Sequence, residues 1–455
     1  MAEHNPPTPK NILRGHKAQV HAAAFLRHNS RLATGDADGF VVLWDLTIMR
    51  PKAVWRAHEN AILGIRSWGH DKVITHGRDH KLIVWKIAED DEQRLSTTLP
   101  LEETPVPRPA PWMLHLLEVN TMNFCAFGAT AALSDSPASS FNDASEILIA
   151  VPNTIASEQV IMPSPSIQCT TADLVVQIDI YELPSQKRMH TVQPGKDNGM
   201  AMSVALANLE DSLLLVAAFE NGYASVHRLD PDGGWTMTYR SQAHTQPILS
   251  LAIHPTNKYF ITSSADAIVA KHPLPLVQQD GMAVLDPDNR IIEEIDDLPI
   301  DTPPGPSLLS AQLGGSSGKS NAKSKAKMTA WEHPHKVANT KHSGQQSLKI
   351  RSDGKIFATA GWDGNFRIYS CKTLKELAVL QWHKVGCYAV AFADLDSDST
   401  PEDTPEATAG NTNQDRRIQI LNTPTVKERR VQQAKTTHWV AGGAKDGKVS
   451  LWDVY

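Results

Sequence analysis

The sequence predicts an all-β fold: a seven-bladed β-propeller closed by its own N-terminal strand, with disordered inserts in its loops. Three observations carry the prediction. A strand–turn–strand unit recurs five times in register along the 455 residues. Two further stretches alternate apolar and polar residues at period two without the polar signature of the unit. The chain also finishes on a strand, "KVSLWDVY", where most domains trail off in a polar tail, so that strand needs a neighbour from elsewhere in the chain.

The five copies are "LATGDADGFVVLWD" (32–45), "VITHGRDHKLIVWK" (73–86), "FITSSADAIVAKHP" (260–273), "FATAGWDGNFRIYS" (357–370) and "VAGGAKDGKVSLWD" (440–453). In each, an Asp stands six residues before a large ring: Asp38 before Trp44, Asp79 before Trp85, Asp266 before His272, Asp363 before Tyr369, Asp446 before Trp452. Four residues before the Asp comes Thr34, Thr75, Thr262, Thr359 or, in the last copy, Gly442. Upstream lies His16, His58, His244, His342 or His383, at 22, 21, 22, 21 and 63 residues from the Asp. The last spacing is a normal one plus an insertion of about 41 residues, of the kind loop tips accept.

This pattern resembles the WD-repeat β-propeller family over nearly the whole chain. The resemblance implies a four-stranded blade per repeat, in which His, Ser/Thr, Asp and Trp form a hydrogen-bonded chain. A His–Asp–Thr set also occurs in catalytic relays, but a catalytic site occurs once and this set recurs with its ring partner. Buried polar groups need partners, and a satisfied network locks strands to turns, so the sets read as scaffold.

Taken in order, the first two copies are blades one and two. The gap of about 160 residues between Trp85 and His244 holds blades three and four. Blade three is expected from "WMLHLLEV", "MNFCAFGA", "EILIAVP" and "LVVQIDIYEL"; blade four from "AMSVALA", "SLLLVAAFE", "YASVHRL" and "WTMTYRS". Blades five and six follow from the next two copies. Blade seven has "CYAVAFA", "HWVAGGA" and "KVSLWDV", and its missing outer strand is "NILRG" at 11–15. The whole chain, 1–455, is then one domain.

Two segments stand outside this pattern. Residues 276–332 are acidic, then Pro- and Gly/Ser-rich, and 394–434 begin acidic and rich in Ser, Thr and Pro. Neither composition offsets chain entropy by burial, so both are expected to be disordered. Lys319, Lys323, Lys325 and Lys327 are too sparse for an import signal and read as a solvated linker. Thr400 and Thr404 precede prolines as proline-directed phosphorylation candidates.

A net charge of −6 does not point to bulk nucleic-acid binding. Cys125, Cys169, Cys371 and Cys387 lack zinc spacing and read as reduced thiols of an intracellular protein. The N-terminus has no apolar signal region and no stretch approaches a membrane span. His333, His335 and His342 lie close together, but no Cys or carboxylate completes a metal site. With no nucleophile motif or phosphate loop, no enzyme activity, cofactor, metal or small-molecule substrate is expected.

Among propellers, a heterotrimeric G-protein β subunit needs a long N-terminal coiled-coil helix, and only about ten residues precede the first strand here. A WDxR ubiquitin-ligase receptor needs Arg three residues after the Trp, where this chain has Thr47 and Ala88. "LRGHKAQVHAAAFL", "LATGDADGFVVLWDLTIMRP", "WRAHENAILGI" and the terminal "HWVAGGAKDGKVSLWDVY" resemble the fungal ASTRA-associated protein 1 family, whose animal relatives are G-protein-β-like. That resemblance implies a nuclear subunit of a multiprotein complex, with the cytoplasm as a second location. The same resemblance implies a link to chromatin remodelling and to co-chaperones that mature phosphatidylinositol-kinase-like kinases. The alternatives are a generic WD-repeat adaptor in another multiprotein assembly, in trafficking or ribosome biogenesis, or a G-protein-β-like subunit. Protein partners are expected; a membrane and direct nucleic-acid contact are not. The resemblance to Gβ-like propellers also implies a partner face. The residues three and five places after each His, and the one before each Asp, place His21, Leu63, Arg78, Trp362, Tyr388 and Lys445 on one arc.

Overall fold

Side chains on a strand alternate between its two faces, so a strand buried on both sides reads as apolar at every position. The second and third strands of the repeats fit that description: Arg31–Asp36 and Phe40–Asp45 are buried almost throughout, as are Ile356–Gly361 and Asn365–Ser370. A computed structural model describes residues 7–102, 106–119, 124–132, 141–153, 176–195, 197–278, 329–395 and 425–454. It contains seven four-stranded antiparallel sheets arranged as the blades of a propeller. The innermost strands, in ring order, are Val20–Leu26, Ile62–Trp68, Gly128–Ala131, Ala201–Leu209, Ile248–Ile253, Gln345–Ile350 and Cys387–Phe392.

Seven clusters of buried apolar side chains fill the spaces between the blades, one for each neighbouring pair. Blades one and two, for example, share Leu43, Trp55, Ile62 and Trp85. The pair that closes the ring is blades seven and one, where Leu13, Trp439 and Leu451 meet Val20, Leu32 and Trp44. Asn11–Arg14 is the outer strand of blade seven, paired antiparallel with the last strand from Asn11↔Leu451 to Arg14↔Lys448. Leu13 is buried and the Lys10 amide adds a bond to Leu451 O at 2.7 Å.

Three expectations need correction. "WMLHLLEV" does not open blade three: Trp112–Glu118 pairs with Lys81–Lys86 as the outer strand of blade two. Alternation marks a strand but not the sheet it joins, and the connection after Lys86 is long, with a 3-10 turn at Asp91–Arg94. Blade three instead ends on Lys187–Val192. Second, the 276–332 insert does not begin and end where composition placed it. Leu276 O accepts a bond from Arg228 at 2.7 Å, and the backbone of Trp331 pairs with Thr238 and Arg240 along the edge of blade four.

Third, the end of the 394–434 segment is helical, over Val426–Thr436. Thr425 and Glu428 form a reciprocal capping box at its N-terminus, a local signal strong enough to start a helix in a polar sequence. Only Ala434 of the helix is buried. Its carbonyl accepts the Trp439 indole at 3.0 Å. Asn29, in the left-handed turn of blade one (φ 62°), reaches across the ring seam. Its amide donates to Asp394 O at 2.6 Å and to Lys435 O at 3.2 Å, and its Oδ1 accepts the Asp394 amide at 2.9 Å. The four insert lysines, Thr400 and Thr404 lie outside the described residues.

Closure by the N-terminal strand gives the first prediction. Deleting residues 1–15 bares the edge of blade seven and opens the core around Leu13, so the truncated protein is expected to aggregate or lose solubility. Deleting 1–8 stops short of the strand and is expected to leave the elution profile and melting temperature unchanged. A monomeric, equally stable protein lacking 1–15 overturns the closure.

Candidate protein-interaction face

The polar sets behind the face are the framework that fixes it. In blade two, His58 links Asp79 (Nδ1–Oδ1 2.9 Å) to Thr75 (Nε2–Oγ1 2.8 Å), and the Trp85 indole donates to the same hydroxyl at 2.8 Å. Asp79 also accepts the Glu59 amide at 3.0 Å, tying the turn to the strand before it. Blade five repeats this with His244, Asp266 and Thr262 at 3.2 and 2.8 Å. There His272 takes the ring position 2.8 Å from Thr262, and its other nitrogen meets the Tyr239 hydroxyl of blade four at 2.7 Å. Burial alone raises the Asp266 carboxyl, but the bonds from His244 and from the Ile268 and Thr245 amides outweigh it and bring it down to about 2.

The other three copies depart from the spacing. In blade one the partner of His16 is Asp36, at 2.7 Å, and not Asp38, which is exposed. Thr34 and Trp44 complete the set as expected. Blade two has Gly77 where blade one has Asp36, and a Cβ on Gly77 would lie within 2.6 Å of both His58 and Asp79. That empty space lets Asp79 fold back; in blade one the Asp36 side chain fills it and displaces Asp38.

In blade six His342 is half-exposed, 3.9 Å from Asp363 and beyond hydrogen-bond reach. It stands three residues before its strand, where the other four histidines stand four before theirs, so Lys341 occupies the aligned place. The buried Arg367 binds Asp363 instead, at 2.5 and 3.1 Å, beside Thr359 and Tyr369. In blade seven Gly442 has no hydroxyl, and Ser450, opposite it on the next strand, supplies one. His383 lies 3.0 Å from Ser450 Oγ and Trp452 donates to it at 2.9 Å. Asp446 is 3.7 Å from His383, with its carboxylate taken by Lys448 at 2.6 Å. Blade four uses the same transfer, with Ser225 opposite Ala217 and 2.9 Å from His227.

A second regularity builds the face. Six innermost strands shift register at the same place, between Val20 and Ala22, Ile62 and Gly64, Ala201 and Ser203, Ile248 and Ser250, Gln345 and Ser347, and Cys387 and Ala389. A β-bulge re-aims the extra side chain. The bulged residues His21, Leu63, Met202, Leu249, Gln346 and Tyr388 all line the axial channel, a cavity of about 560 Å³ to which every blade contributes.

Five of the six expected face residues meet at or beside this mouth. His21 and Tyr388 pack edge to face at 5.7 Å. Burial, more than the nearby Arg78, lowers the His21 imidazole. Trp362 covers Gly344, where a Cβ would meet its ring at 2.2 Å, and donates to Gln346 Oε1 at 2.9 Å, yet stays 48% exposed. Leu63 lines the channel, and Arg78 stacks on Phe124 at 4.3 Å. Lys445 is the sixth: its amide bonds Gly386 O at 2.9 Å and its side chain is exposed, outside the channel lining. Sequence reasoning missed Phe124, which is 56% exposed and stands just before blade three, one of the two blades without the repeat signature. It also missed Met202, Leu249 and Gln346, which the bulge position relative to the strand start would have found. No group of three metal-ligating side chains, with His333 and His335 included, is present among the described residues.

Two predictions follow from the polar sets. Asp36→Ala removes a partner from buried His16 and is expected to cost about 1–3 kcal/mol, as is Asp79→Ala for His58, whereas exposed Asp38→Ala stays within about 0.5 kcal/mol. Chemical denaturation of the three variants checks this, and equal effects of Asp36→Ala and Asp38→Ala overturn the assignment. Burial also lowers His76 to about 3 and His227 and His383 to about 4, from 6.5. Between pH 6.5 and 4 the unfolded chain binds protons at these sites that the folded chain does not, so stability falls as pH falls. Melting temperatures from pH 7 to 4 are expected to drop across that window, with the drop reduced in His383→Gln.

A family model for ASTRA-associated protein 1 matches residues 9–452. The ASTRA-associated protein 1 of Pyricularia oryzae is 46% identical, over 99% of this chain and 98% of its own. That of Verticillium alfalfae is 48% identical, over 99% and 93%, and that of Schizosaccharomyces pombe 31%, over 85% and 93%. On this evidence of sequence over the full propeller, the chain belongs to the ASTRA-associated protein 1 family.

Proposed function

We propose that this chain is a non-enzymatic interaction scaffold, a nuclear subunit of the ASTRA complex that serves chromatin remodelling and the co-chaperone-assisted maturation of phosphatidylinositol-kinase-like kinases. The family supports the complex; the collar around the channel mouth supports the mode of action. Trp362, Tyr388 with His21, and Arg78 with Phe124 gather large amphipathic side chains on one face, partly exposed and held in place by neighbours. Trp, Tyr and Arg anchor interfaces because they bury much area and still hydrogen-bond, and a fixed rotamer lowers the entropy lost on docking. The collar is the observation that carries this reading. The partners are protein subunits, held without nucleic acid, membrane or cofactor.

The test is the double variant Trp362→Ala, Tyr388→Ala in the full chain. Both side chains reach solvent, so its melting temperature is expected to match that of the unaltered protein, while co-purified ASTRA subunits fall at least tenfold. A folded variant that retrieves its partners at undiminished levels places docking elsewhere on the ring.

A further inference from the structure

Below the collar, the channel carries a charge arrangement that protein docking at the mouth does not use. The register of the innermost strands aligns one position across the blades, immediately after the residue opposite the tetrad hydroxyl or its replacement. It is Ala24, Ala205, Ala252 and Ala391 in blades one, four, five and seven. In blades two and six the same position holds Arg66 and Lys349. Both line the channel, with two blades between them one way round and three the other, so they approach from opposite sides. One layer nearer the mouth Ser203, Ser250 and Ser347 reach the wall from blades four, five and six; the Ser250 hydroxyl is already bonded to the Leu348 backbone, which leaves Ser203 and Ser347.

Among the described residues neither cation takes part in a salt bridge. Arg66 donates to Ala129 O at 2.6 Å and stacks on Phe141 at 3.7 Å, contacts that orient it without cancelling its charge. Among the described residues the Lys349 ammonium has no hydrogen-bond partner, and no carboxylate lies within 4 Å of either cation. Withdrawal from bulk water lowers the Arg66 guanidinium to about 10, against the opposing field of Asp394. Partial desolvation by the channel wall, then the field of Arg66, lowers the Lys349 amine, although its side chain stays exposed to the solvent in the channel. Like charges confined by low-dielectric walls raise the local potential and concentrate anions there. A cavity of about 560 Å³ has room for a small polyanion spanning both.

We propose that the channel is a binding site for a small molecule bearing two or more phosphate groups, held between Arg66 and Lys349 with the serine layer above them. Guanidinium and ammonium groups both bind phosphate oxygens through charge-assisted hydrogen bonds, and hydroxyls supply further donors. This site lies below the docking face in the same channel, and its residues are distinct from those of the collar.

Tripolyphosphate is the probe, used on the full chain. Titration calorimetry is expected to show one site per chain, and the melting temperature to rise by several degrees at millimolar probe. In Lys349→Met the shift is expected to vanish, while the melting temperature without probe equals or exceeds that of the unaltered protein because a repulsion has been removed. Arg66→Gln serves as the second variant and is expected to weaken binding at least tenfold. Four results overturn the proposal: no shift in the unaltered protein, several weak sites in place of one, an undiminished shift in both variants, or an equal shift with citrate, which would show that charge alone is read.

Discussion

Four rungs of backbone pairing, from Asn11↔Leu451 to Arg14↔Lys448, carry the constraint on which the rest of the molecule rests. Each of the seven apolar clusters lies between two blades, so no blade holds a complete core of its own. A linear array of such units would need capping repeats with polar outer faces. A ring needs none, provided that its two ends meet. Here the first strand made pairs with the last, and Leu13 enters the cluster that joins blade seven to blade one.

The fold was legible because alternation, a repeated Asp-to-ring spacing and a terminal strand without a neighbour point to one architecture. The polar sets were legible only where one deletion did not mask another. His58–Asp79 and His342–Asp363 are both 21 residues apart. In blade two the residue is lost in the loop after the innermost strand, and in blade six before that strand, so only the first keeps its histidine in place. Asp36 escaped notice because it sits at the strand end, where the matching copies have Gly77, Ser264, Gly361 and Ala444. Ser450 escaped because a hydroxyl can reach the histidine from either of two neighbouring strands. The space between side chains decides these substitutions, and spacing along a chain does not report it.

The bulges connect the scaffold to the surface. A strand without the extra residue would send its side chains alternately into the two adjoining blade interfaces. The bulge releases one side chain in each of six blades from that alternation and turns it to the axis, which is why His21, Leu63 and Tyr388 meet around one opening. Polar networks behind them hold the turns, so buried hydrogen bonds fix the backbone of the collar while its side chains brace one another. Specificity and stability are thereby assigned to different residues. Alanine at the collar changes what is bound, and alanine in the networks changes whether the blade holds.

Asn29 acts as a clasp whose effect is on evolution rather than on binding. One amide side chain grips the chain at Asp394, where it leaves blade seven, and again at Lys435, where it returns along the capped helix. The two ends of that excursion are therefore fixed relative to blade one, whatever number of residues runs between them. Closure entropy grows only with the logarithm of length, about 0.6 kcal/mol per doubling, so residues can be gained or lost there at little cost to the ring. The clasp makes this a place where the chain tolerates new sequence, and hence where a lineage can add a regulatory or recognition segment without redesigning a blade.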